Sequence, residues 1–327
     1  MNPSATNAPF YRQRRIGTLQ ALRIPLGMPA SDLLTLSERA DSLYRLAKSI
    51  TKPDGSIRNT YDAREPLKEI HRRIKNQILD QVSFPTYLTG SIKGCDYKTN
   101  ATLHAHSRIV INEDISGFFP STSADRVFNV WHSFFGFSGS VAQCLTKLTT
   151  RQGELPQGAI TSSFLANLVF WQDEPILHAR LAAAGLIYSR YVDDIAVSSR
   201  SFLTDEGKSE VIRQVYGMLL KHGYQPKRIK HDITTSSERM AVTKLAVNSK
   251  PGLDRTTRSR IRAAVQAIEK RVALGETLSF NKGAYPQTMG LVRHLERFHP
   301  GKAAPLKKRL LALKNACKNK PPHTETE

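Results

Sequence analysis

Cysteine is scarce in this 327-residue chain: Cys95, Cys144 and Cys317 are scattered and odd in number. That argues against a disulfide framework or a cysteine zinc site and for thiols in a reducing, cytoplasmic compartment. Long apolar runs are also missing, so no segment reads as a membrane span, and no lipidation motif stands out. The opening Met1-Asn2-Pro3-Ser4-Ala5-Thr6-Asn7 lacks the apolar stretch of a secretory leader. No internal repeat is evident. Acidic residues are in short supply, 28 against 48 lysines and arginines, for a net charge of +20 and a pI near 10.0. Such an excess implies a polyanionic partner, with nucleic acid the default and an anionic membrane surface the competing reading. Hydrophobic residues still make up 40%, enough for one catalytic unit of two or three subdomains.

What is present is a pair of adjacent acids in an unusual setting. Tyr191-Val192-Asp193-Asp194 lies between two β-prone runs, Leu186-Ile187-Tyr188-Ser189-Arg190 and Ile195-Ala196-Val197-Ser198-Ser199. The pattern predicts a β-hairpin with the acids at its tip. Neighbouring residues of a strand face opposite ways, so only a turn lets such a pair project forward. Aspartate is common in turns, and a polar hairpin tip is the plain alternative. A third acid changes the balance. Arg108-Ile109-Val110-Ile111-Asn112-Glu113-Asp114-Ile115-Ser116-Gly117-Phe118-Phe119-Pro120 is an apolar strand ending in acids and followed by an aromatic pair. Beside the hairpin, Asp114 would complete an acidic triad suited to hard divalent cations, a pair of which can clamp a phosphoryl transfer.

Tyr-Val-Asp-Asp in a hairpin, with Asp-Ile-x-x-Phe-Phe-Pro upstream, resembles the palm of a reverse transcriptase. Leu155-Pro156-Gln157-Gly158-Ala159-Ile160-Thr161-Ser162-Ser163 lies between them and resembles the family's Pro-Gln-Gly-x-x-x-Ser-Pro block, with Ser163 in place of Pro. The resemblance runs from about Lys52 to the C-terminal region. It implies an α+β right-hand polymerase with fingers, a palm of antiparallel sheet plus helices, and a helical thumb. The expected divisions are a basic, partly helical extension over 1–45, fingers over 46–107 with parts of 130–160, palm over 108–250, basic thumb over 251–320 and a disordered tail over 321–327. Two Mg²⁺ ions, or Mn²⁺, are implied at Asp114, Ile115, Asp193 and Asp194.

In chain order, Arg12, Arg14, Arg15 and Arg23 read equally as backbone contacts or solvated surface. A helix is predicted from Ser31 or Asp32, with Leu33, Leu34 and Leu36 and later Leu43 and Leu46 on its apolar side. Lys52-Pro53-Asp54-Gly55 reads as a turn between strands, and Pro66 opens an amphipathic helix. By resemblance Lys52 and Arg58 face the incoming triphosphate, the alternative being two solvated cations. Asn100-Ala101-Thr102-Leu103-His104 matches the Asn-Ala-x-x-His element of retron enzymes. Here Asn100 and His104 are assigned to RNA binding, although a packed or hydrogen-bonded histidine is the plainer reading, and His104 with His106 lacks the partners of a metal site.

Phe119 falls where the family sets an aromatic ring against the nucleotide sugar, while Phe118 reads as core. The aromatic run Val130-Trp131-His132-Ser133-Phe134-Phe135-Gly136-Phe137 reads as packing. Gln157 offers hydrogen bonds to template or nucleotide, and Gly158 lets the backbone approach them closely. Gly223-Tyr224-Gln225-Pro226-Lys227-Arg228-Ile229-Lys230 resembles the block whose lysine, here Lys230, lies near the aspartates. His231 follows where Thr is commoner. Val242-Thr243-Lys244 stands where retron enzymes carry Val-Thr-Gly, an expected RNA contact altered by Lys244. Arg255, Arg258, Arg260 and Arg262, then Lys307, Lys308, Arg309 and Lys314, read as a thumb gripping an A-like hybrid, or else as solvated helices. Arg255, Arg258 and Arg262 are the RNA contacts chosen.

The implied function is RNA-directed DNA synthesis of retron type. A structured non-coding RNA is template and supplies an internal 2′-hydroxyl primer, dNTPs are consumed, and branched RNA-linked single-stranded DNA results by way of an RNA–DNA hybrid. The family's biology implies antiphage defence with an accessory effector protein and no membrane role. A catalytically silent RNA-binding scaffold and an intron-type or diversity-generating enzyme are the alternatives.

Overall fold

The structure is a computed structural model that describes residues 7–52, 55–276 and 279–318, with side chains described through residue 316. The 321–327 tail, and Pro53 and Asp54 of the expected turn, lie outside the described residues. The elements that position the site are strands β1 (Tyr44–Thr51), β2 (Ile57–Ala63), β3 (Ile109–Asp114), β4 (Ile187–Tyr191), β5 (Asp194–Ser199) and β6 (Asp232–Thr235). The helices are α1 (Leu67–Gln77), α2 (Tyr97–Leu103), α3 (Ser162–Leu168), α4 (Glu174–Ala183), α5 (Asp205–Lys221), α6 (Arg255–Ala273), α7 (Ala284–Phe298) and α8 (Pro300–Lys318).

β3, β4, β5 and β6 form one antiparallel sheet in the order β4-β5-β3-β6. Alternate residues of its strands serve two cores, as the period of two requires. Ile111, Tyr188, Ile195 and Val197 join the main core with α3, α4 and α5, whereas Val110 and Ala196 join a second core with Val242, Ile261, Val265 and Val292. Both faces are therefore covered, which is why residues 109–111 and 195–197 form unbroken apolar runs. The aromatic run behaves as packing: Trp131, Phe135 and Phe137 are fully buried.

α6, α7 and α8 pack on one another through the second core. Asp254 caps α6 by accepting from Thr257 N at 2.5 Å. At the other end of the chain the expected helix is shorter and begins one residue early, spanning Ala30–Glu38. Leu33 and Leu36 are buried, but Leu43 lies in a 3₁₀ turn and Leu46 in β1, 55% exposed. Pairing of β1 with β2 overrides the helical spacing of those leucines. Among the described residues no helix is long and apolar enough to cross a membrane.

Candidate active site

The three acids meet because of strand register. Asp114 ends β3 opposite Asp194 of β5, and Asp194 also pairs with Tyr191, closing a turn whose two central residues are Val192 and Asp193. The Ile115 N–H donates to the Asp193 carbonyl at 3.1 Å, tying the acid-bearing end of β3 to the turn. Val192 has φ of 61°, a conformation costly for a β-branched residue. Gly90 lies beneath it so closely that a Cβ there would stand 2.6 Å from Val192 Cγ2.

Burial raises the pKa of Asp193, and the charge of Asp114 adds to this while Lys230 and Arg58 oppose it. Asp194 is pushed up to about 7 by burial, by Asp193 and by Asp114, with which it shares a hydrogen bond. Burial disfavours the charge on Lys230, but its ion pair with Asp114 outweighs this and raises its pKa. Three carboxylates with one adjacent ammonium carry excess negative charge of the kind a hard cation relieves. Among the described residues no group of three or more His, Cys, Asp or Glu side chains adopts metal-holding geometry. Just behind, the buried Glu113 accepts from His231 Nδ1 at 2.6 Å and Tyr216 OH at 3.0 Å.

Asp114 and Asp193 open onto a cleft of about 520 Å³ whose lining also includes Lys52, Arg58, Ile115, Phe119, Gln157 and Lys230, while Asp194 is exposed outside that lining. Phe118 is buried and stacks on Phe170, leaving Phe119 half-buried at the cleft wall. Gly158 corrects its expectation. At φ 102° it packs on β2, where a Cβ would meet the Tyr61 carbonyl at 3.0 Å, and it is not among the cleft-lining residues. The Tyr61 N–H donates to the Gln157 carbonyl at 2.7 Å, so the close approach is to β2.

A family model for reverse transcriptase (RNA-dependent DNA polymerase) matches residues 50–259. The chain belongs to the reverse transcriptase family. The retron Se72 reverse transcriptase of Salmonella heidelberg is 34% identical over 82% of this chain and 72% of its own length. The retron Ec48 reverse transcriptase of Escherichia coli is 30% identical over 95% of this chain and 78% of its own. An apo telomerase of Candida tropicalis, truncated from its C-terminal domain, aligns with a TM-score of 0.42 at 11% identity, over 69% of this chain and 61% of that one. The enzyme is a retron-type reverse transcriptase, an RNA-directed DNA polymerase with the right-hand fold.

Several expected RNA contacts of this reverse transcriptase lie inside it. Asn100 is buried and accepts from Thr89 Oγ1 at 2.8 Å. His104 is completely buried between Ser198 Oγ, 2.8 Å from Nδ1, and Ser189 Oγ, 2.7 Å from Nε2, and burial lowers its pKa to about 4. The Asn-Ala-x-x-His element therefore fastens α2 to the β4–β5 hairpin, correcting the assignment to RNA. Val242 is likewise buried, in the second core. Thr243 Oγ1 donates to the Tyr97 carbonyl at 2.9 Å. Thr243 and Lys244 have φ of 46° and 68° in the turn between Ala241–Val242 and Leu245–Ala246. Glycine suits such a φ, so Lys244 carries backbone strain of about 1 kcal/mol there. Lys244 itself is exposed. Arg255 and Arg262 are exposed and Arg258 half-buried on α6; their spacing of three and four places them along one helix face.

Sequence reasoning passed over Arg190 and Glu174, a fully buried ion pair behind the turn. The available signal was an arginine within a β-prone run. It also passed over Arg151, whose guanidinium sits 4.1 Å over the Tyr61 ring at the cleft.

Proposed function

We propose that this reverse transcriptase copies a structured non-coding RNA from an internal 2′-hydroxyl of that RNA, giving branched, RNA-linked single-stranded DNA. The observation that carries the polymerase chemistry is the register that brings Asp114, Asp193 and Asp194 together, with Asp114 and Asp193 in one cleft with Lys52 and Arg58. The retron-specific steps rest on the similarity to retron enzymes over most of the chain.

In this reading Asp114, Asp193 and Asp194, with Ile115 beside them, hold two Mg²⁺ ions, or Mn²⁺; the excess carboxylate charge fits such hard cations. Bound there, the ions supply charge neutralisation to the attacking hydroxyl and the departing pyrophosphate. Lys52 and Arg58 bind the triphosphate, and Lys230 offsets the charge of Asp114. Phe119 blocks a 2′-hydroxyl and so selects deoxynucleotides. Gln157 hydrogen-bonds the template or nucleotide, and Gly158 acts by keeping Gln157 against β2. The primer oxygen forms a bond to the α-phosphate, its proton is lost, and the bond to pyrophosphate breaks. Arg255, Arg258 and Arg262 grip the hybrid backbone together with Lys244. The extension, fingers, palm and thumb follow the divisions at 45, 107 and 250. Antiphage defence with an accessory effector protein completes the reading.

The test is expression of the full chain with the non-coding RNA encoded beside it, followed by sequencing of the copurifying nucleic acid. DNA joined to RNA through a 2′-linkage is expected, and Asp193→Asn with Asp194→Asn should remove the DNA at unchanged RNA yield. RNA alone bound to the unaltered protein would favour the silent scaffold, and a free DNA product an intron-type or diversity-generating enzyme.

A further inference from the structure

Arg190 has no part in the chemistry just described, yet it is wholly buried directly behind the catalytic turn. All five of its N–H groups have acceptors. Nε donates to Glu174 Oε1 at 2.6 Å and Nη2 to Glu174 Oε2 at 2.7 Å, a two-pronged ion pair. Nη2 also donates to the Asn167 carbonyl at 3.1 Å, and Nη1 to Asn167 Oδ1 at 3.5 Å. The remaining Nη1 hydrogen goes to the carbonyl of Val192, 3.0 Å away.

Burying such a pair costs several kcal/mol of hydration, and a well-packed apolar pair of similar volume is often as stable. Its presence is therefore weak evidence of a role in stability and better evidence of a geometric one. The geometry concerns the strained residue of the turn. Val192 holds a φ of 61°, and its carbonyl belongs to the peptide that precedes Asp193. Arg190 grips that carbonyl from behind, while the Ile115 N–H holds the Asp193 carbonyl from the side of β3. Asn167, which accepts from Arg190, also donates to the Gly90 carbonyl at 2.7 Å, fixing the glycine on which Val192 rests. Tyr188 OH donates to Glu174 Oε1 at 2.7 Å and so braces the carboxylate from its own side.

We propose that Arg190, oriented by Glu174, is a positioning residue that locks the Val192–Asp193 peptide and keeps Asp193 aimed at the cleft beside Asp114. The inference rests on the reading of those aspartates as the polymerase acids. Arg190→Lys discriminates it from a purely structural ion pair. A lysine keeps the charge opposite Glu174, but its single ammonium cannot reproduce the fork and reach both the Asn167 and Val192 carbonyls.

The experiment measures single-nucleotide addition on the copurified or annealed RNA template, with RNA affinity and thermal midpoint determined on the same preparations. Arg190→Lys should lower kcat about 100-fold, the scale of a misplacement near 1 Å, with the dNTP KM and the RNA Kd within about threefold of the parent. Tyr188→Phe, which loosens Glu174 only, should keep kcat within about threefold whatever its thermal midpoint. Should Arg190→Lys fail to fold, the double variant Arg190→Met, Glu174→Met removes both buried charges and should show the same kcat loss. Wild-type kcat in the folded Arg190→Lys or double-Met protein overturns the inference. So does a kcat loss in Tyr188→Phe equal to that of Arg190→Lys, which would mark a general loosening of the core. Asp193→Asn is measured alongside: if it stays active, the assignment of the acids fails. If it is inactive while Arg190→Lys is fully active, only the role of Arg190 fails.

Discussion

Two hairpins face each other across the cleft and are built on opposite plans. In β4–β5 nearly every residue between the turn and the strand ends is buried, and the turn is held from behind by Arg190, from below by Gly90 and from the side by Ile115. In β1–β2 most residues are exposed, including the apolar Leu46, Ile50 and Ile57 at 55%, 41% and 65%. The second hairpin is tied down chiefly at its base, through Tyr44, Ala63 and the bond from Tyr61 to Gln157. A hairpin carrying acids that must converge is made rigid by burial. The one that carries Arg58 and ends beside Lys52 reaches out with few packing contacts, the low-stability end of the molecule.

The contrast gives different consequences for substitutions on the two sides. The largest is expected at His104, which braces the buried hairpin through Ser189 and Ser198. His104→Ala removes two buried hydrogen bonds and leaves a cavity, so it should destabilise the fold by about 3 kcal/mol. Chemical denaturation checks this. An unchanged midpoint with weakened RNA binding would return His104 to the RNA-contact role and break the comparison. A smaller effect, of another kind, is expected on the exposed hairpin. Arg58→Ala should raise the dNTP KM about tenfold while the thermal midpoint stays in place. Steady-state incorporation checks it, and an unchanged KM would leave Arg58 a solvated surface cation.

The hairpin, the three acids and the Gln157 turn were legible because each is a local pattern: alternating apolar residues, adjacent carboxylates, a glycine after a polar side chain. The partners that hold them were not. Arg190 finds acceptors on α3 and α4, 23 and 16 positions earlier, and His104 finds its serines 85 and 94 positions later. Nothing in a short stretch announces such pairings. Gly158 shows the same limit: the need for glycine was readable, but the body it approaches is β2 and not the nucleotide. Asn100 and Val242 carried family motifs that read as contacts to RNA, and burial turned them into packing. The altered Lys244 is explained only in part, by a turn conformation that glycine adopts without strain.

The central claim is that Asp114 and Asp193, far apart in sequence, serve one cation site. Replacing Mg²⁺ with Fe²⁺ in the protein–RNA complex and generating hydroxyl radicals at the bound ion cuts the main chain nearby. The account predicts cuts in both the 112–116 and the 191–195 segments, abolished by Asp114→Asn with Asp193→Asn. Cuts in neither segment, in one alone, or undiminished in that double variant would contradict it.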